Sequence, residues 1–340
     1  MRVLYVIPGT PEGSEFIFAK RQIACMEAVG ITASKFFLRS RTSIPFLVRA
    51  IGLLKNEINS FRPDIVHAQF GTVNGIVCVC AGANPLIVTF RGGDLNPTRE
   101  VSRIRSLAGR LISQIAALPA TAIICVTARL RAKLWWRKNR SRVIPNGIDL
   151  SMFSPMLKDE ARAALGWQRA GRVVLFNAGR NARAKRLDLA LAAIERARLR
   201  VTGLRFEILR GETAPEMMPL YLNAADCLLV TSDWEGSPNI VKEALACNLP
   251  VVAVDVGDVP ERLAGVNPSR IVERCPEALG RCVAEVLQES RRSNGRDKIA
   301  HLSDKAVAQQ ILEVYRQVLF ESQGGTVPVS QSSLAEPPRN

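Results

Sequence analysis

What most restricts the fold of this chain is a strand–helix alternation that runs through its first 150 residues and then starts again. Short apolar runs predict strands at 3–7, 32–38, 65–68, 86–90 and 121–126, with helices after the first loop near Ser14 and over 44–61, 101–117 and 128–138. The pattern restarts with a strand at 172–178, a helix at 185–199 and strands at 204–209, 227–230, 251–254 and 270–272; helices at 276–290 and 298–320 end it. Strands buried on both faces read as unbroken apolar runs, and a parallel pair needs a crossover helix between its members. The sequence therefore predicts an α/β chain with two tandem Rossmann-like, doubly wound parallel sheets facing a cleft. The expected divisions are an N-terminal domain over 1–150, a linker over 151–170 and a second domain over 171–321. A disordered tail is expected over 322–340, where SQGGTVPVSQSSLAEPPRN offers too little apolar content to pack.

In such folds ligands sit outside the carboxyl ends of the strands. Four loops of unusual composition fall there: 9–14, 91–94, 179–185 and 235–240. The last belongs to TSDWEGSPNIVKEALACNLPVV. There Ser237 is predicted to cap a helix, with Pro238 at its first position, where a missing N–H costs nothing. Glu243 leans back toward the turn holding Glu235. Between them, past Gly236, the free N–H groups of Asn239 and Ile240 and the positive end of the helix make an anion site. Phosphate against those amides and sugar hydroxyls against the two carboxylates would together accommodate a nucleotide-sugar. The spacing Glu-x7-Glu alone is weak in a chain with 31 acidic residues and is matched by two solvated acids on a helix face; the strand-end position adds the weight.

Loop 179–185 supplies two cations, Arg180 and Lys185, able to clamp a diphosphate, one as a fork and one as a point charge. Against this stands an ordinary solvated basic loop. In Arg91-Gly92-Gly93-Asp94 the glycines allow close backbone approach, and Asp94 either accepts from sugar hydroxyls or caps its own turn. His67, near a strand end, reads first as a hydrogen-bonded core histidine and only second as catalytic. The run 129–142 mixes Trp135 and Trp136 with six cations in 130–142 alone. An anionic membrane surface and an inward-packed surface helix suit it equally.

Charge is lopsided. Residues 1–150 hold 21 Lys/Arg against 8 Asp/Glu, a net +13, while 151–340 hold 25 against 23, a net +2. An anionic partner for the first half follows, but the basic half shows no stacking-aromatic array or motif for nucleic acid. Eight cysteines with no C-x2-C pair, and only two histidines, argue against a metal site and for buried free thiols. No apolar run approaches the ~18–20 residues that span a bilayer, and MRVLYVIPGTPEG turns polar too quickly for a signal peptide. A cytoplasmic protein is expected, peripheral on the inner membrane face if its basic half docks there.

These segments together resemble the retaining, GT-B-fold glycosyltransferases of family 4 over nearly all of 1–320. The resemblance is carried by Gly179-Arg180 through Lys185, Pro145-Asn146-Gly147-Ile148-Asp149, Glu235-Gly236-Ser237-Pro238 through Glu243, and Gly257-Asp258-Val259-Pro260-Glu261. The run from Met218 to Glu261 is most similar to the teichuronic-acid biosynthesis (TuaC-like) subgroup. The resemblance implies transfer of a sugar from a nucleoside diphosphate, UDP by preference, to a polysaccharide or lipid-linked glycan. No cofactor or metal is implied. Arg180 and Lys185 would hold the diphosphate, Glu235 the sugar, Glu243 the ribose and the backbone at Gly211 the base, while Gly13, Ser14, Arg91, Gly92 and Asp94 would face the acceptor or sugar. The last helix would cross back to brace the domains. Three departures stand out: Arg91 replaces a usual histidine, leaving it open to bind an acidic sugar or acceptor phosphate; Gly13-Ser14-Glu15 stands where a Gly-Gly pair is common; and Lys185-Arg186 replaces Lys-Gly. A nucleotide-sugar epimerase and a non-catalytic nucleotide-sugar or glycan scaffold are the rival readings.

Overall fold

A computed structural model describes residues 1–12, 16–97, 102–179 and 181–324. Gly13, Ser14, Arg180 and residues 325–340 of the expected tail lie outside the described residues. The first unit runs β1 (Arg2–Pro8), α1 (Ile17–Ala28), β2 (Thr32–Leu38), α2 (Ile44–Phe61), β3 (Ile65–Ala68), α3 (Val73–Cys80), β4 (Leu86–Phe90), α4 (Arg103–Ala117), β5 (Ala122–Cys125), α5 (Ala128–Ala132) and β6 (Ser141–Val143). The second opens with α6 (Lys158–Ala164), β7 (Arg172–Gly179), α7 (Leu187–Arg198), β8 (Leu204–Arg210), α8 (Met218–Ala224), β9 (Cys227–Val230) and α9 (Asn239–Ala246). It continues through β10 (Val251–Val254), α10 (Val259–Leu263), β11 (Arg270–Val272), α11 (Pro276–Glu289) and α12 (Gly295–Ile299) to α13 (Asp304–Ser322).

All strand pairs are parallel, in the orders β2-β1-β3-β4-β5-β6 and β8-β7-β9-β10-β11. The first five strands of both sheets are thus wound identically. Each sheet has one switch point, between β1 and β3 and between β7 and β9, where crevices form at the strand ends. These are the two doubly wound parallel sheets expected from the sequence.

Along β1, Leu4 and Val6 enter one core with α2 and α3, while Val3, Tyr5 and Ile7 enter another with α1. The second core is completed by α13, whose Val307, Ile311, Val314, Tyr315 and Val318 are buried in it. At ~1.5–3 kcal/mol for each fully buried large apolar side chain, these contacts hold the C-terminal helix firmly against the first sheet. The chain passes between units at Pro145-Asn146-Gly147-Ile148-Asp149. Here Ile148 N–H donates to Leu302 O (3.0 Å) and Asp304 N–H to Ile148 O (2.9 Å). A Cβ on Gly147 would lie 2.9 Å from the Cα of Asp304, so only glycine admits the start of α13 so closely.

Three expectations need correction. The helix expected over 128–138 stops at Ala132, because the following turn is folded onto α4. The side chain of Gln114 donates to Lys133 O (2.9 Å) and accepts from Trp135 N–H (3.1 Å), while Trp136 Nε1–H donates to the Gln114 carbonyl (2.8 Å). Arg137 then takes a left-handed φ of 62°, which no helix continues through. No element was expected over 73–80, yet α3 forms there and puts Cys78 inside and Cys80 outside. The thiols are all free but not all buried: Cys80 is exposed, and Cys25 and Cys275 are partly so.

Candidate active site

The site is built where β7 and β9 end side by side. After β7, the Asn181 carbonyl accepts from Lys185 N–H (3.1 Å) and its side-chain oxygen from Ala184 N–H (3.0 Å), closing a tight loop. After β9, the Thr231 hydroxyl lies 2.8 and 3.0 Å from the carbonyls of Lys185 and Arg186, and Asp233 N–H donates to Ala184 O (3.0 Å). The two loops are thereby stitched together, and Lys185 Nζ donates directly to Glu235 Oε1. Arg186 enters α7 with φ 56°, in the left-handed region that favours glycine over a residue with a side chain. Its guanidinium compensates by bonding Asp188 (2.9 Å) and Asp233 (3.1 Å).

α9 starts one residue later than predicted. Pro238 is the N-cap, with extended ψ 119°, and Ser237 caps nothing. Its hydroxyl instead donates to Asp258 Oδ2 (2.9 Å) and accepts from Lys242 Nζ (3.2 Å). Lys242 is fully buried, donates also to Asn146 O (2.8 Å), and has its amine pushed down to about 8 by burial. Burial raises the Asp258 carboxyl, which also accepts from Arg262 Nε (3.0 Å). This buried Ser–Lys–Asp–Arg cluster fixes the 235–240 turn from behind and escaped sequence reasoning. Its one signal was a lysine on the apolar side of IVKEALA.

The sequence-predicted residues Lys185, Glu235, Gly236, Ser237, Pro238, Asn239, Ile240 and Glu243 converge on one cleft of about 620 Å³ between the domains. Glu243 is partly buried. Desolvation lifts its carboxyl to about 7, against the pull of Arg21 and Lys242. Asn239 Oδ1 is buried without a partner among the described residues. Trp234, which the sequence reading passed over, stands at the rim; an aromatic just before Glu-Gly at a strand end was the available clue. Gly211 is not brought into the cleft: it is exposed beside β7, its N–H donating to Gly179 O (3.1 Å).

Across the cleft, the 91–94 loop is used differently from what the residue types invited. Arg91 is 7 % exposed, with its guanidinium 4.7 Å from the Phe18 ring. It donates to the Gln69 carbonyl (3.3 Å), to Gln22 Oε1 (2.7 Å), and to the side-chain oxygens of Gln69 and Asn146. Four of its five N–H groups are engaged within the first domain, which makes it a strut there, and it also lines the cleft opposite Lys185 and Glu235. Burial pushes it down to about 10. The fully buried Asp94 carboxylate accepts from the N–H groups of Gly71 (3.3 Å), Arg91 (3.0 Å) and Gly92 (2.8 Å), which makes it the cap of its own turn. Gly92, at φ 140°, lets the loop meet the other domain: a Cβ there would lie 3.2 Å from Gly236 N, and one on Gly236 would lie 2.2 Å from Arg91 O. His67 is a core histidine, 2.6 Å from Tyr315 OH and 2.7 Å from Thr89 Oγ1, and burial pushes it down to about 3.

Two family descriptions divide the chain between them: Glycosyltransferase Family 4 matches residues 2–152 and Glycosyl transferases group 1 matches 159–289. A teichuronic acid biosynthesis glycosyltransferase, TuaC, from Bacillus subtilis is 27 % identical over 247 residues, 67 % of this chain and 62 % of its own length. The chain thus spans about three fifths of that relative. Among solved structures, sucrose-phosphate synthase from Thermosynechococcus elongatus superposes with a TM-score of 0.80 at 18 % identity, covering 95 % of this chain and all of that one. Anabaena HepE in complex with UDP superposes with a TM-score of 0.71 at 16 % identity, covering 93 % and 100 %. With the same two-sheet architecture and both halves matched in sequence, the chain is a GT-B-fold relative of the family 4 glycosyltransferases.

Proposed function

We propose that the protein transfers a sugar from a nucleoside-diphosphate donor, UDP by preference, to a polysaccharide or lipid-linked glycan, retaining the anomeric configuration and needing no metal ion. The observation that carries this reading is the convergence of Lys185, Glu235, Glu243 and the first amides of α9 on one cleft. The diphosphate lies against the N–H groups of Asn239 and Ile240 and the Lys185 ammonium, with Arg180 as the second cation. Glu243 accepts from the ribose hydroxyls, and Glu235 from those of the sugar. The Asn239 side-chain oxygen, buried and unmatched, accepts from a further donor hydroxyl. As the anomeric C–O bond to phosphate breaks, an acceptor hydroxyl forms the new C–O bond on the same face. Its proton passes to the departing phosphate, and the nucleoside diphosphate leaves. A cation at the leaving group stabilises charge that grows in the transition state, a contribution of ~10²–10³ in rate. The acceptor approaches from the first domain, whose +13 charge favours an anionic one at the cytoplasmic membrane face.

Lys185→Ala is the direct test. Transfer in EDTA should fall by at least ~10²-fold, and UDP binding measured by calorimetry should weaken. Unchanged turnover would remove the assignment. Incubation with UDP-sugar alone separates the rival activity, since an epimerase converts its donor without any acceptor.

A further inference from the structure

α4 is amphipathic the wrong way round. Toward the core it buries Ser113, Gln114, Ala116 and Ala117. Toward solvent it shows Ile104, Leu107, Leu111, Ile115 and, at its end, Leu118, between 40 % and 82 % exposed. Their spacing of three and four makes one continuous stripe. The bonds from Gln114 hold the 133–136 turn against the same helix and leave the Trp135 indole exposed beside it. A contiguous aliphatic patch of this kind marks a surface that is covered in use.

The flanks of that stripe say what covers it. Residues 101–148 contain ten Lys/Arg and no Asp/Glu. Arg103 and Arg110 of α4, together with Lys133, line a second interdomain cavity of about 1140 Å³, which Leu107 also lines and which reaches Trp234 and Glu235 of the donor cleft. Among the described residues Arg110 Nε is buried without a partner. The Lys133 ammonium is pushed down by burial and by its neighbours Arg110 and Arg129, a sign that cations crowd here. The stripe therefore continues, at Leu107, into a basic wall facing the reacting centre. A second copy of the chain is a poor occupant. A two-fold interface would press two predominantly basic helix flanks together, and like charges so placed oppose association.

We propose that α4 lies on an anionic bilayer and receives from it an acceptor with a phosphate headgroup and a long hydrocarbon chain, the stripe entering the headgroup region while Arg103, Arg110 and Lys133 hold the phosphate at the cleft mouth. This rests on the sugar-transfer reading for the acceptor's role, but the seating on lipid is testable without it. An aromatic-edged apolar face rimmed by Arg and Lys has the composition that binds such interfaces.

The test floats the full chain with vesicles of phosphatidylcholine alone or mixed with phosphatidylglycerol. Binding is expected only to the mixed vesicles and should weaken with salt. Ile104→Ser, Leu111→Ser and Ile115→Ser combined should lower the bound fraction about tenfold or more, while the rise in melting temperature with UDP is kept. The same triple variant should raise KM for a long-chain lipid diphosphate acceptor and not for its short-chain water-soluble analogue. Wild-type protein that ignores anionic vesicles, a triple variant that floats like wild type, or light scattering showing that the triple variant merely splits a dimer would each overturn the proposal. Flotation as expected with no turnover on any acceptor would instead count against sugar transfer.

Discussion

The two sheets are wound in the same order, yet their crevices are put to opposite uses. Between β7 and β9 the strand ends present Lys185 and Glu235 to an open cleft. Between β1 and β3 the equivalent space is partly taken up by the chain itself, and Phe16, Phe70 and Arg91 from the loops there line the same cleft from the opposite side. Tyr315 of α13 bonds His67 and Tyr5, and Arg91 reaches back from β4 over Gln69 to Gln22. A switch point thus offers a crevice, but a ligand can enter only if no other part of the chain occupies it. Here Arg91 and its partners take up part of that crevice, while the last helix packs with Tyr315 against the face of the sheet, and its apolar side follows from that.

The largest effect that separates the crevices concerns their two cations. Arg91→Ala would leave a cavity and strand the side-chain oxygens of Gln22, Gln69 and Asn146. The expected cost is ~3 kcal/mol of stability, read by denaturant unfolding, with UDP affinity nearly unchanged. Lys185→Ala should do the reverse. If Arg91→Ala left stability intact and removed UDP binding, Arg91 would belong to the donor site and not to the scaffold of the first domain.

How much of this was legible beforehand divides along the same line. Thr32–Leu38, Ile44–Phe61 and Cys227–Val230 are found with the bounds that the apolar runs gave, because strands covered on both faces and helices with a buried side leave periodic traces. That Lys185 and the 235–243 segment share one cleft was legible because both stand on short loops at strand ends. Arg91 was not: its partners come from Gln22, Gln69 and Asn146, and no local pattern announces a contact across such separations. Ser237 failed as a cap for the same reason, its hydroxyl being claimed by Asp258, 21 residues on. The 133–137 turn was misread because its side chains answer to Gln114 and not to helix propensity.

A smaller effect belongs to the open crevice alone. The Glu243 carboxyl is raised in the fold to about 7 from an ordinary 4.5. The folded state therefore holds an extra proton between these values, and its stability falls as pH rises through that window. Donor binding runs the other way, since ribose hydroxyls donate to the ionised form. Between pH 6 and 8 UDP affinity should rise by up to about tenfold beyond whatever change Glu243→Gln shows, the variant serving to subtract the titration of UDP itself. Parallel profiles for the two proteins would take Glu243 out of the donor site.

The smallest effect tests what the two crevices share. Each sheet enters its first crossover helix through a left-handed residue that is not glycine: Phe16 before α1, at φ 54°, and Arg186 before α7, at φ 56°. The winding demands the turn, and each domain offsets its strain in its own way. Phe16 packs edge-on against Phe18 and Phe70, whereas Arg186 forks onto Asp188 and Asp233. Substituting Arg186 by glycine or by alanine removes the same ion pairs, but only glycine relieves the backbone. Arg186→Gly should therefore be more stable than Arg186→Ala by ~1 kcal/mol, measured by chemical denaturation at constant salt. Equal stabilities would mean that the ion pairs, and not the winding, impose the left-handed turn. The likeness of the two helix entries would then be accidental, whereas a glycine advantage ties both to the strand order itself.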